Sequence, residues 1–150
     1  MIRRSPLAAL VLAVAIAALT AGCGGGSGGG GGTTENTITS NWETFFKGST
    51  DATTRIGLLE NGQDFASLIR SISANPLSKT LSAKVGKVDV TDPNAAKVTY
   101  TLYLGKNAVL KNASGDAVRQ NGTWKVGDAS FCQLVALEGA SPPACKASSR

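Results

Sequence analysis

Apolar positions along this chain follow three successive patterns. From Leu7 to Leu19 they form an unbroken run. From Ile38 to Ile72 they recur at helical spacing, and from Leu81 to Leu104 mostly at every second residue. In the helical part, Ser40-Asn41-Trp42-Glu43 has the capping-box form, with Ile38, Trp42, Phe45 and Phe46 on one side and Gly48 placed to stop the helix. A second helix is predicted from about Asp51 to Asn61. It is capped by Thr50 or Asp51, carries Ile56, Leu58 and Leu59 on its apolar side, and stops at Gly62. Phe65, Leu68, Ile69 and Ile72 predict a third, closed by Pro76.

In the strand region, Val98, Tyr100, Leu102 and Leu104 face one way and Lys97, Thr99, Thr101 and Tyr103 the other, the mark of a half-buried antiparallel strand. The strand before it slips phase: Leu81, Ala83 and Val85 alternate, then Val88 and Val90 fall out of step. A β-bulge at Gly86 restores the facing. Asp92-Pro93-Asn94 makes the intervening turn. Leu104-Gly105-Lys106-Asn107 reverses the chain into a short strand, Ala108 to Lys111. Asn121-Gly122 joins 117–120 to 123–126 as a hairpin. Phe131, Leu134, Val135 and Leu137 fit either a short helix from Ser130 to Gly139 or a last strand. Helices first and an antiparallel sheet afterwards predict an α+β fold with three N-terminal helices packed on about four strands.

The first apolar run has Arg3 and Arg4 ahead of it and small residues after it, which makes residues 1–22 a secretory signal. It is too short to span a bilayer comfortably, which takes about 20 residues. Leu19-Thr20-Ala21-Gly22-Cys23 resembles the lipobox of bacterial lipoproteins, in which the cysteine is lipidated and becomes the mature N-terminus. Cys23 is therefore expected to be a membrane anchor, holding the protein to membrane lipid at the outer face of the cell membrane. Residues 24–32, eight glycines and Ser27, have nothing apolar to bury. Residues 23–37 are thus expected to be an irregular tether, with a single domain over 38–146 and a tail at 147–150.

With the signal removed, 13 basic residues stand against 10 acidic ones, a net charge of +3 without clusters, which argues against nucleic acid. If Cys23 is lipidated, Cys132 and Cys145 remain as a pair in an oxidising compartment and are expected to form a disulfide. The absence of histidine and of any CxxC argues against a metal site or cofactor and against a Ser-His or Cys-His nucleophile.

Three stretches resemble the C-terminal domain of the mycobacterial low-molecular-weight secreted antigen family. They are Leu58-Leu59-Glu60-Asn61-Gly62 with Phe65; Ala96-Lys97-Val98-Thr99-Tyr100; and Gly122-Thr123-Trp124-Lys125-Val126 with Phe131-Cys132 and Pro143-Ala144-Cys145. The resemblance covers most of residues 38–145. It implies a cystatin-like or nuclear transport factor 2-like fold with a curved sheet, in exported proteins with no established activity. Here the lipobox and glycine stretch imply retention at the membrane rather than release.

Cone-shaped sheets of that kind sometimes hold an apolar ligand or a catalytic carboxylate. Phe46, Phe65, Tyr100 and Trp124 are the candidate lining, though their periods place them equally as core. The carboxylates available to a small proton-transfer enzyme, the alternative function, are Glu60, Asp64 and Asp89, and each has a plain surface explanation. Asn112-Ala113-Ser114 and Asn121-Gly122-Thr123 match the glycosylation sequon, but the second is explained by its turn. The expectation is a non-enzymatic domain that binds an apolar envelope ligand or docks on an envelope partner.

Overall fold

The helical period around Trp42 governs a longer element than its capping signal suggests. In the structure, a computed structural model that describes residues 29–148, helix α1 spans Gly29–Phe46. Ser40 lies inside it, so no capping box starts the helix there, and residues 29–37 are helical where an irregular tether was expected. Ile38, Trp42, Phe45 and Phe46 are all at most 5% exposed and fix the later turns on the core. Once those turns exist, each further residue costs only its propensity, about 1 kcal/mol even for glycine. Cys23 and residues 1–22, where a signal was expected, lie outside the described residues.

Helix α2, Ala52–Gly57, is capped as expected by Asp51, whose carboxylate accepts from the Thr54 amide at 2.9 Å and hydroxyl at 2.7 Å. It ends four residues before Asn61 because the chain leaves to pair with a distant strand. Leu59 forms a parallel bridge to Val126: the Glu60 amide donates to the Val126 carbonyl, and the Val126 amide to the Leu58 carbonyl, both at 2.9 Å. The reversal that follows admits only glycine, since a Cβ on Gly62 would fall 1.9 Å from the Ile56 carbonyl oxygen. A 3-10 turn, Gly62–Phe65, leads into α3, Ala66–Ala74. Phe65 and Ile69 are buried, and Leu68 and Ile72 half-buried. Pro76 opens a second 3-10 turn, Pro76–Thr80, begun by the Asn75 side chain accepting from the Leu77 amide.

The four strands β1 (Leu81–Asp92), β2 (Ala95–Leu104), β3 (Asn107–Gln120) and β4 (Thr123–Val126) form an antiparallel sheet in chain order. The expected bulge is present. Val85 lies opposite Tyr100 and Lys87 opposite Thr99, so Gly86 is the extra residue and Val88 comes to face Val98. On β2 the alternation holds, with Ala96, Val98, Tyr100 and Leu102 buried, while Leu104 at the strand end is 40% exposed. β3 is one long strand rather than two short ones. Its register to β2 shifts between Tyr100 and Tyr103, and Asn112 takes a left-handed φ of 49° there. Beyond β4, the open choice resolves as a helix: α4 runs Asp128–Leu137, and α5, Pro143–Ala147, was not expected.

The fold is α+β with a four-stranded antiparallel sheet. Helix α1 contacts β1 and β4, and α4 contacts β3. Trp42 lies over Gly115 of β3, where a Cβ would meet the indole ring at 2.7 Å. The buried apolar side chains fall between Ile38 and Val135 and form one cluster.

Candidate functional site

Two of the stretches that carry the family resemblance meet in space. The Leu59–Val126 bridge sets Glu60 and Asn61 beside β4 and the start of α4. There the Glu60 carboxylate accepts from the Asp128 amide at 3.1 Å and so caps α4 from another element. Asn61, with a left-handed φ of 50°, donates from its side chain to the Asp128 carboxylate at 2.8 Å. Its backbone amide donates to Gln120 Oε1 at 3.1 Å, and Gln120 Nε2 donates back to Asn61 Oδ1 at 2.8 Å. Lys125 Nζ also donates to Gln120 Oε1, at 3.2 Å. Asp116 completes the surroundings: its amide donates to Ser130 Oγ at 2.7 Å, and its carboxylate pairs with Lys97.

Burial pushes the Glu60 carboxyl above the ordinary range, helped by the charge and carboxyl hydrogen bond of Asp128 and the charge of Asp116, and opposed by the Asp128 amide. The folded state thus holds this proton more tightly than the unfolded chain. Its contribution favours folding at acid pH and is lost as pH rises from the ordinary glutamate value through the raised one. Glu60→Gln keeps an acceptor for the Asp128 amide and adds a donor toward its carboxylate. It is expected to raise the melting temperature at neutral pH, with the gain shrinking below the ordinary glutamate range. Melting curves of both proteins across pH check this, and a gain that grows on acidification would contradict it. Among the described residues no such acidic group is arranged to hold a metal ion.

The other carboxylate candidates stand apart. Asp89 is exposed on β1 and pairs with Lys87 at 2.8 Å, and Asp64 is exposed in the first 3-10 turn. The candidate ligand-lining residues are at most 7% exposed. Phe46 stacks on Tyr100 with centroids 5.8 Å apart, Trp42 sits 5.1 Å from Tyr100, and Phe65 meets Phe131 edge-on at 5.4 Å. Burial alone pushes the Tyr100 hydroxyl up to about 12. Beside Trp124, the gap lined by Ile38, Asn41 and Trp42 has no room for a water molecule. These aromatics are the core.

Cys132 and Cys145 are joined, with Cα atoms 5.5 Å apart, and the bond ties α4 to α5. It forms part of an open surface depression of about 440 Å3, lined also by Gln133, Ala136 and Lys146. Asn112 and Asn121 both take left-handed backbone, at a bulge and a hairpin turn, which explains each asparagine without a sugar. Reading the sequence missed Arg55, 3% exposed, whose guanidinium donates to the Lys47 carbonyl at 2.8 Å and faces no carboxylate partner at hydrogen-bond distance among the described residues. It missed Asp128 as well. Neither carries a local signal, because their partners lie elsewhere in the chain.

A search of curated proteins found no match. Residues 32–142 match the family described as low molecular weight antigen MTB12, C-terminal domain, a span that contains Leu58–Gly62, Ala96–Tyr100 and Gly122–Val126, and the chain belongs to that family.

Proposed function

We propose that the protein is an envelope lipoprotein, anchored through a lipidated Cys23 at the outer face of the cell membrane, whose folded domain docks rather than catalyses. The observation that carries the docking reading is the fate of Phe46, Phe65, Tyr100 and Trp124. All four are spent on the core, which leaves an apolar ligand no room between helices and sheet. Recognition then belongs to the surface. Membership of an antigen family is in keeping with a non-enzymatic role. The proton-transfer alternative draws no support from Asp64 or Asp89, and the carboxylate with raised affinity for its proton, Glu60, is engaged in capping α4. In this reading the sheet is of the curved, cystatin-like or nuclear transport factor 2-like kind.

The anchor rests on the Leu19-Thr20-Ala21-Gly22-Cys23 pattern. Mass spectrometry of the membrane fraction is expected to find Cys23 as a diacylglyceryl-bearing N-terminus. Cys23→Ala should leave the protein unprocessed at that site and without lipid. A Cys23→Ala protein cut at the same place and equally membrane-bound would sink the claim.

A further inference from the structure

We propose that the end of the domain formed by Lys47–Gly48, the 3-10 turn Pro76–Thr80 and the β2–β3 turn is a docking surface for anionic lipid headgroups. Backbone contacts hold the three segments together. The Gly48 amide donates to the Leu81 carbonyl at 2.8 Å, and the Gly105 amide to the Thr80 carbonyl at 2.9 Å. Gly48 also lies so close to Lys79 that a Cβ would fall 2.3 Å from its carbonyl oxygen. Three large apolar side chains are exposed here, Leu77 at 73%, Val109 at 53% and Leu104 at 40%. Around them stand Lys47, Lys79, Lys106 and Lys111, all exposed.

None of those four lysines is neutralised. The ion pairs among the described residues use Lys84, Lys87 and Lys97 instead. The nearby acids are engaged elsewhere: Glu43 accepts from the Val85 amide and pairs with Lys84, and Asp51 caps α2. At the opposite end of the sheet, the acidic residues Glu60, Asp116 and Asp128 gather instead. Leucine and valine ringed by lysine is the composition that enters a lipid interface, with the apolar groups inserted and the ammonium groups among headgroup phosphates. Charge complementarity selects an anionic surface over a neutral one, since each lysine near it raises partitioning about fivefold.

The partner rests on the lipid-anchor reading, which keeps lipid within reach. Five residues, 24–28, separate Cys23 from the start of α1, and a chain of that length extends at most about 20 Å. Helix α1 is about 27 Å long, so with its axis along the membrane both its anchored end and Lys47 reach the headgroups. A second contact made by a tethered domain gains from its high effective concentration.

The test uses residues 24–150, which contain the whole described core and lack Cys23. Sedimentation with vesicles of phosphatidylcholine, alone or mixed with phosphatidylglycerol, is expected to show binding to the mixed vesicles only, weakened by salt. Lys79→Glu with Lys106→Glu should cut it by about 25-fold or more, and Leu77→Ser by about tenfold. Arg119→Glu with Lys146→Glu changes the net charge equally and should cost far less. Equal binding to neutral vesicles, no binding, or equal losses in the two charge-reversed pairs would each overturn the proposal. Because this chain has no Cys23, failure here leaves the anchor untouched, and an unlipidated Cys23 leaves the vesicle result untouched.

Discussion

Trp42→Ala is expected to cost about 3–5 kcal/mol of folding stability, the range for truncating a large buried aromatic. Trp42 is 1% exposed, packs against Phe46 and Tyr100, and fills the gap that Gly115 leaves in β3. The Gly115 backbone beneath the ring is held in the sheet and offers no side chain to fill the void. Trp42→Phe makes the informative comparison. The indole Nε1 finds no hydrogen-bond partner among the described residues, and an unsatisfied buried donor costs about 1–3 kcal/mol. Phenylalanine loses volume but also removes that penalty, so the loss should stay below about 2 kcal/mol. Urea unfolding of residues 24–150, followed by circular dichroism, measures both. A cost for alanine under about 1 kcal/mol would mean that Trp42 is not the keystone of the α1–sheet contact.

Cys132→Ser and Cys145→Ser are each expected to lower stability by about 3 kcal/mol, the chain-entropy value for a loop of this length. The bond spans 13 residues of sequence and joins α4, which buries Phe131 and Val135, to α5, which buries no residue fully. The two single variants should match each other, since either one opens the same loop. Amide exchange should rise first in residues 143–147, whose apolar contacts with the core are made by Ala144 and Cys145. Native protein should show no reactive thiol at either position before reduction. Complete labelling of both under native conditions would end this assignment.

What was legible in the sequence is what short-range physics decides. The alternation of β2 was readable because every second side chain meets the same helix-covered face, and Gly86 was readable because the phase slip around it has one cheap repair. Asp51 capped α2 as its position promised. The end of α2 was not readable, because Leu59 leaves for Val126, and no window around Leu59 contains that partner. The same holds for Glu60 and Asp128, 68 residues apart, each of which has an adequate local explanation as a surface acid. β3 was read as two pieces because Asn112, Ser114 and Gly115 interrupt its alternation. They do so where the register shifts and where Trp42 needs room. The start of α1 was not readable because residues 29–37 bury little of their own, and their helix continues from the anchored turns that follow.

Helix α1 comes first among the described elements yet closes on the last strand. The Asn41 side chain donates to the Trp124 carbonyl across 83 residues, and Trp42 rests on Gly115. A chain that emerges from a membrane pore amino end first therefore presents Ile38, Trp42, Phe45 and Phe46 long before their partners arrive. During that interval four large apolar side chains stand on one stripe with nothing to cover them. On the export route proposed above, folding cannot run ahead of export, and the passage of β4 through the pore sets the moment at which the domain can close. Until then the emerging helix is a natural client for whatever shields apolar surface on the far side.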